Sequence, residues 1–571
     1  MTADIKPGEA IALALHPETG AAIVSAGGGT TLLGIDDAFP TIARIERNIG
    51  PRWVWWSKST ARQLVENDIH PARCWDLAAV HRLLYGEWRT NSATMWATCQ
   101  GLDTSRIPEI APVDLFTVVD EFDRPDEAVR RDGYLRPDWV DGAWAANLDR
   151  LNRWAGLASE VQSWQVARLA ELVDHPRATA TARSESAAEL LGTELEHDGL
   201  PIDVAEAERI IGGFIGPRPL NAADESAKLA ARDRTVLEHL PADSEFDLRS
   251  PANVKSLLRR VGIEVTDTRA WRLEQLRTQY PVVDALLTWR KAERMATTFG
   301  YGWLDENVGS DKRLRGHWSA SDGASGRMTA TAGLHNMPAD LRPSIVAEDE
   351  YLFVRSDLGQ IEPRVLASVS GDDELALATH DDDMYAPVAE RLGVEREVAK
   401  VAVLGAMYGQ TTGHGAAALR GLESAYPIAM EYLQSADTAA QGGHDLRTNG
   451  GRLIRMGASD VTEMSDRDAR SRAAARGRYG RNAMIQGAAA ELFKMWAVLV
   501  RARSLELGAR IVLCLHDELL VHAPADQAAQ TARIVDDCLQ EAGHRWAPST
   551  AGPTVRFVTD TSVITRWSEA K

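Results

Sequence analysis

The stretch Tyr351-Leu-Phe-Val-Arg-Ser-Asp-Leu-Gly-Gln-Ile-Glu-Pro-Arg-Val-Leu-Ala367 decides how this chain is read. Its first half is β-rich and ends at Asp357. Its second half has helical spacing, with Ile361, Val365 and Leu366 on one face. A carboxylate at the end of a buried strand is rigidly mounted, which suits a metal ion. The same letters also fit an Asp that caps the following helix. Alone, the stretch leaves both readings open.

Two segments further along sharpen the choice. In Ile511-Val-Leu-Cys-Leu-His-Asp-Glu-Leu-Leu-Val-His-Ala523, two apolar strands flank His516-Asp517-Glu518. Adjacent like charges repel, and a plain turn favours Gly or Asn. A cation removes that repulsion, and Mg²⁺ prefers a few carboxylates plus substrate phosphates. Asp357 and Asp517, brought together, suit a two-metal phosphoryl-transfer site. A solvated acidic turn is the alternative. In Arg396-Glu-Val-Ala-Lys-Val-Ala-Val-Leu-Gly-Ala-Met-Tyr-Gly409, Arg396, Lys400, Leu404 and Tyr408 recur every four residues and form one slanting helical stripe. It runs from two cations through an apolar side chain to an aromatic ring, the order of phosphates, sugar and base in a nucleotide. The alternative is an amphipathic core helix. Basic charge in a first helical turn opposes the macrodipole, however, which points to an anion there.

The chain has 571 residues, enough for about three to five domains. Hydrophobic residues are 44% and charged residues 25%, ordinary for a globular protein. The net charge is −19, which taken alone argues against nucleic acid. The acidity is uneven. Residues 1–200 carry net −11, while 251–300 and 452–481 are each net +4. The four cysteines form no C-x-x-C or Cys/His cluster, so neither a disulfide framework nor a zinc site is expected. No apolar run approaches the ~18 residues of a membrane span, and the N-terminus lacks signal-peptide character. A cytoplasmic protein, acting as a monomer, is expected. Short strands around Ile11–Leu15, Ala21–Val24, Thr30–Leu33 and Trp53–Trp56 alternate with helices at 38–48, 60–66 and 76–85, an α/β layer. Residues 101–140 read as irregular, 142–240 and 252–300 as helical, and 372–500 as mostly helical.

Taken in order, D-x-x-Q-I-E-x-R from Asp357, R-x-x-x-K-x-x-x-x-x-x-x-Y-G at 396–409 and His516-Asp-Glu518 resemble motifs A, B and C of the family A DNA polymerases. Ser325-Gly-Arg-Met-Thr329 with His335-Asn-Met-Pro338, Asp383-Met-Tyr385, Asn449-Gly-Gly-Arg-Leu453 and Arg478, Asn482, Gln486-Gly487 resemble further segments of that family in the right order. So does Phe246-Asp-Leu-x-Ser250 with Asn253-Val254. The resemblance covers roughly 180–571. The variants around Asp357 and Lys400, the latter reaching Gln410, look most like a short actinobacterial group described as 3′–5′ exonuclease/DNA polymerases.

The resemblance implies an α+β multidomain chain: a right-hand polymerase fold of palm, fingers and thumb, preceded by an RNase H-like α/β exonuclease-type domain. The expected boundaries are 1–180 for the exonuclease-like domain, 181–310 thumb, 311–370 palm, 371–487 fingers and 488–571 palm again. It further implies primer–template DNA and dNTPs as partners. Two Mg²⁺, with Mn²⁺ a possible substitute, would be held by Asp357, Asp517 and the Leu358 carbonyl. Glu518 is either a weaker metal neighbour or a structural turn acid. Arg396 and Lys400 would hold the triphosphate, Lys400 also giving a proton to pyrophosphate. Gln360, Glu362, Tyr385, Leu404 and Tyr408 would complete the nucleotide site, with Glu362 filling the space of a 2′-OH and bonded to Tyr408. Arg327, Arg478, Asn482, Gln486 and His516 would meet the primer–template. Leu404 and Tyr385 stand where the family has an aromatic residue and a phosphate-contacting His, and Gly359 and Pro363 replace Ser and Leu.

Relatives carry nuclease carboxylates near the N-terminus as D-x-E, a middle Asp and Y-x-x-x-D. Here the first strands hold no D-x-E. Asp76 fits the middle position, and Tyr134-Leu-Arg-Pro-Asp138 fits the last by letter, but Pro137 is expected to break its helix. An inactive remnant is expected, with no room for a 5′ nuclease domain. A catalytically silent primer–template binder and an unrelated phosphohydrolase are the competing readings. The first does not account for the intact Asp357, Asp517, Arg396 and Lys400. The second does not account for the 396–408 stripe or Gln486.

Overall fold

A computed structural model describes residues 5–25, 27–87, 90–110, 124–240, 246–409, 415–457, 466–548 and 552–570. Gln410 and the middle of the second basic island lie outside them. The chain forms two compact units. The first comprises 1–198, 318–329 and 350–563, and the second comprises 199–317, 330–349 and 564–571.

The first unit opens with β1 (Ala10–His16), β2 (Gly20–Ser25), β3 (Thr30–Leu33), α1 (Ile35–Ile49), β4 (Arg52–Trp55), α2 (Lys58–Glu66), β5 (Cys74–Asp76) and α3 (Leu77–Tyr85). The five strands form one sheet in the order β3-β2-β1-β4-β5. β1 pairs antiparallel with β2 and parallel with β4, and β4 runs parallel to β5. β1 is an apolar run because both faces are covered. Ile11, Leu13 and Leu15 pack with Ala38, Ile42 and Leu64 of α1 and α2. Ala12 and Ala14 point the other way, towards Leu83 of α3 and towards Leu151 and Ala155 further along the chain. There follow α4 (Ser92–Cys99), α5 (Pro137–Val140), α6 (Leu148–Ala170) and α7 (Ala178–Asp198). The expected boundary at 180/181 falls inside α7. That helix stays with the first unit because its buried Glu194 pairs with Arg501 at 2.6 Å.

The second unit is β6 (Leu200–Pro201), α8 (Val204–Ile215), α9 (Ala222–Leu237), α10 (Pro251–Arg260), α11 (Ala270–Glu274), α12 (Pro281–Thr298), α13 (Tyr301–Asn307) and β7 (Arg313–Leu314). Val236 of α9, Leu257 and Leu258 of α10 and Val283 and Leu286 of α12 make its core. Here the +4 of residues 251–300 becomes a surface property. Arg259, Arg260, Arg269, Lys291 and Arg294 are exposed, whereas Glu293 is buried and accepts from Arg249 at 2.7 Å.

The chain then builds a hairpin, β8 (Trp318–Asp322) and β9 (Arg327–Ala330), followed by β10 (Tyr351–Leu358). Next come α14 (Ile361–Ser370), α15 (Asp373–Ala378), α16 (Tyr385–Leu392), α17 (Arg396–Tyr408), α18 (Gly415–Ala425), α19 (Pro427–Gln441), β11 (Leu446–Arg447), β12 (Leu453–Ile454) and α20 (Asp466–Ser504). It closes with β13 (Arg510–Cys514), β14 (Glu518–Pro524), α21 (Ala528–Trp546) and β15 (Thr559–Ile564). β13-β14-β10-β15 form the second large sheet. The expected boundary at 487/488 lies inside α20, which is one continuous helix. An 18-residue window of that helix is apolar enough for a membrane span by composition, but 83% of it is buried inside the protein.

Candidate nucleotidyl-transfer site

β10 and β14 pair antiparallel, with Asp357 opposite Glu518. The Leu358 N–H donates to the Asp517 carbonyl at 2.7 Å, and the Leu515 N–H donates to the Glu518 carbonyl at 2.8 Å. This register places the end of one strand beside the turn of the other, so Asp357 and Asp517 meet. Burial, and then the charge of Asp517, push Asp357 up to about 6. Burial, and then Glu518, push Asp517 up as well. Two acids that repel each other, Asp357 half-buried and Asp517 exposed at the turn, form a donor set that a divalent cation satisfies. Arg355 lies two residues before Asp357, on the same face of β10 by the strand's period. Its guanidinium is 3.2 Å from Asp357, 3.3 Å from Glu518 and 3.4 Å from Asp560. Glu518 is buried and held by Arg355, the turn-acid reading of that residue. Among the described residues no cluster of three or more His, Cys, Asp or Glu is shaped to hold a metal. Asp357 and Asp517 are the pair of carboxylates at this turn that could hold a divalent cation.

The turn from β10 to α14 explains two of the unusual letters. A Cβ at Gly359 would come 2.8 Å from the Val558 side chain, so Ser does not fit. Pro363 is the third residue of α14, where the N–H has no intrahelical partner to lose. Gln360 itself is left-handed, φ 51°. Arg364 holds the turn from inside: it is buried and donates to the carbonyls of Gly359 (3.0 Å), Arg556 (2.7 Å), Asp381 (2.9 Å) and Asp382 (2.8 Å).

Glu362, in the first turn of α14, is held from two sides. Arg327 donates to Oε1 at 2.7 Å and the Tyr408 hydroxyl donates to Oε2 at 2.5 Å. The Tyr408 bond is the one expected from sequence. Arg327 is thus tied to Glu362 rather than reaching outward with its whole guanidinium. The His516 residue is exposed at the turn, and desolvation of its ring followed by the nearby Arg327 charge lowers its pKa.

α17 behaves as its spacing predicts. Ala399, Ala402, Val403, Ala406 and Met407 are buried. The opposite stripe grades from exposed Arg396 to half-buried Lys400, Leu404 and Tyr408. Lys400 has no ion-pair or hydrogen-bond partner among the described residues, so its ammonium is available to a ligand. Arg396 is instead engaged by Asp383 and Glu397 and lies over the Tyr385 ring. Asp383 also accepts from Gln360 at 3.1 Å. Tyr385 is 5% exposed, and burial, then Glu362, push its hydroxyl up to about 12. Its phenol packs under Arg396 because a phenol is apolar enough to join the α16–α17 core.

Arg478, Asn482 and Gln486 follow one another every four residues on α20 and share a stripe. Arg478 is exposed and lies against Gly409, where a Cβ would meet its Cγ at 2.8 Å. Asn482 Oδ1 is enclosed without a hydrogen-bond partner among the described residues.

Asp76 is a buried helix cap, not an open ligand. It accepts from the Ala79 N–H and from the Trp55 indole, both at 2.9 Å, and burial followed by Glu189 raises it to about 7. No helix carries Tyr134 and Asp138 together: Pro137 begins the four-residue α5 at a position that needs no N–H. Tyr134 lies before that helix, and Asp138 pairs with Arg136 at 3.0 Å.

Three residues of the site went unread in the sequence. Arg355 was legible from strand alternation beside Asp357. Asp383 sat inside a quoted segment, but its pairing with Arg396 had no local sign. Asp560 had no signal near it at all.

Residues 222–569, more than half of the chain, match DNA polymerase family A, and the chain belongs to that family. DNA polymerase I of Chloroflexus aurantiacus is 32% identical over 300 residues, covering 47% of this chain and 31% of that protein. The thermostable DNA polymerase I of Thermus aquaticus is 27% identical over 458 residues, covering 73% of this chain and 51% of that protein. The chain thus spans about a third to a half of these relatives. In fold it is similar to the POL domain of Pol1 from M. smegmatis, solved in complex with DNA primer-template and dNTP: TM-score 0.67, 19% identity, 99% of this chain and 97% of that one.

Proposed function

We propose that the chain is a template-directed DNA polymerase that adds dNTPs to a primer 3′ end. The observation that carries this reading is the fixed carboxylate of Glu362. It is held by Arg327 and Tyr408 five residues beyond Asp357, and so close to the Asp357–Asp517 pair. A hydrolase gains nothing from a rigid acid locked against an aromatic helix residue. A polymerase gains a wall where a 2′-OH would sit. Asp357, Asp517 and the Leu358 carbonyl would hold two divalent cations, Mg²⁺ with Mn²⁺ as substitute. When bound, these supply a more acidic primer 3′-OH and charge neutralisation at the triphosphate. Lys400 meets the triphosphate directly and carries the proton for the leaving pyrophosphate. Arg396 exchanges Asp383 and Glu397 for phosphate oxygens. Leu404 packs on the sugar and Tyr408 at the base, while Gln486, Arg478, Asn482 and His516 line the primer–template.

In this reading the second unit, led by 199–317, is the thumb. The β10–β14 sheet is the palm, and α15 to α19 form most of the fingers. The β3-β2-β1-β4-β5 sheet is an RNase H-like exonuclease remnant without nuclease chemistry, since Asp76 is spent on a helix cap and an indole and Asp138, the other candidate by letter, pairs with Arg136.

A labelled primer–template incubated with Mg²⁺ and four dNTPs tests the proposal. Extension by the wild type, lost in Asp357→Ala with DNA binding retained, is expected. No wild-type extension alongside normal DNA binding would make the chain a silent binder.

A further inference from the structure

Lys494, in the middle of α20, is fully buried. A lone ammonium could not remain charged there. It is 2.5 Å from Glu185 Oε1 and donates to the carbonyls of Gly326 at 2.7 Å and Ala320 at 3.2 Å. Ala320 lies on β8 and Gly326 immediately precedes β9, so one cation ties both arms of the hairpin. Arg452 closes the other side. It is 2.6 Å from Glu185 Oε2 and donates to Ser321 Oγ at 3.0 Å. It also lies so close over Gly326 that a Cβ there would collide with the guanidinium. Burial alone would push Glu185 up, but Arg452 and Lys494 outweigh it and hold the carboxyl below its ordinary value. The residue after Gly326 is Arg327, which holds Glu362.

Such a buried ionic cluster adds little net stability over apolar packing of the same volume. What an apolar plug cannot do is bond two carbonyls at fixed distances. The cluster therefore does its work through geometry. Its anion comes from α7, which belongs to the N-terminal part of the chain and packs beside the remnant sheet.

We propose that Glu185, Lys494 and Arg452 are positioning residues for sugar selection: they fix the Ser325–Arg327 turn so that Arg327 can hold Glu362. The N-terminal segment then has a task at the polymerase site that needs no nuclease chemistry. The proposal rests on the reading of Glu362 as the 2′-OH wall.

The test uses the full chain with Lys494→Met, and the near-isosteric Glu185→Gln in case the former does not fold. Two quantities are read: the ratio of kcat/KM for dCTP over CTP opposite template G, and amide hydrogen exchange of residues 324–329 in the free protein. Each variant is expected to lower the ratio by roughly ten- to a hundredfold, the scale of one charge-assisted hydrogen bond. The double variant with Arg327→Ala is expected to be no worse than Arg327→Ala alone. Exchange at 324–329 should quicken while the β10–β14 strands stay protected. An unchanged ratio, losses that multiply in the double variant, or unchanged exchange would each overturn the proposal. If Glu362→Ala itself leaves the wild-type ratio intact, the wall reading fails instead, and unchanged exchange would then still decide against the clamp.

Discussion

Replacing Tyr408 by Phe removes one of the two bonds that fix Glu362 and leaves the ring in place. The remaining bond is Arg327 to Oε1 at 2.7 Å. To admit a ribonucleotide, the carboxylate must yield to a 2′-OH, and its resistance is set by what holds it. Two charge-assisted hydrogen bonds at about 1.5–3 kcal/mol each give roughly 3–6 kcal/mol. At about 1.4 kcal/mol per tenfold, this corresponds to a discrimination on the order of 10² to 10⁴. Tyr408→Phe should reduce it by roughly ten- to a hundredfold, and Glu362→Ala should abolish most of it. The assay is single-nucleotide insertion of dCTP and CTP opposite template G, compared as kcat/KM. An unchanged ratio in Glu362→Ala would refute the steric argument. Equal losses in both variants would refute the division between wall and support.

Asp357→Asn and Asp517→Asn should each lower extension by on the order of a thousandfold while primer–template affinity, read by fluorescence anisotropy, stays within about threefold. Lys400→Ala should cost about ten- to a hundredfold in kcat/KM for dNTP, since its ammonium has no partner among the described residues; steady-state kinetics read this directly. A primer with a mismatched, labelled 3′ end should remain full length with Mg²⁺ and no dNTP. Shortening that Asp76→Ala abolishes would show a working nuclease. Asp76 also makes a pH prediction. Its carboxyl is raised from an ordinary 3.8 to about 7, so the folded state keeps a proton that the unfolded chain releases. Its contribution to stability is therefore full below about pH 4 and lost as pH rises towards 7. Urea midpoints measured across that window should fall less steeply in Asp76→Asn.

The catalytic motifs were legible because each is local. Strand alternation and helical spacing around Asp357, the stripe at 396–408 and the apolar strands around 516–518 are properties of consecutive residues, and all three elements form where the spacing put them. Charge was legible only in part: the islands at 251–300 and 452–481 could be counted, but not which acids would be buried. The consequence of Pro137 was legible too: a proline begins a helix readily but does not sit in its interior, so Tyr134 is left outside the helix that holds Asp138.

The sequence by itself determined which side chains could do chemistry: two aspartates on strand ends, a cationic stripe ending in Tyr408, and a glutamate in a first helical turn. Only the tertiary structure decided how they are held. Arg355 among three acids, Arg364 on the carbonyls of Asp381, Asp382 and Arg556, Asp383 on Arg396 and Glu185 on Lys494 are all partnerships across the fold. Burial makes those of Arg355, Arg364 and Lys494 obligatory, since a charge or carbonyl removed from water must find a partner within hydrogen-bond reach, whereas Asp383 holds an exposed Arg396. No periodicity in the chain records which partner that is.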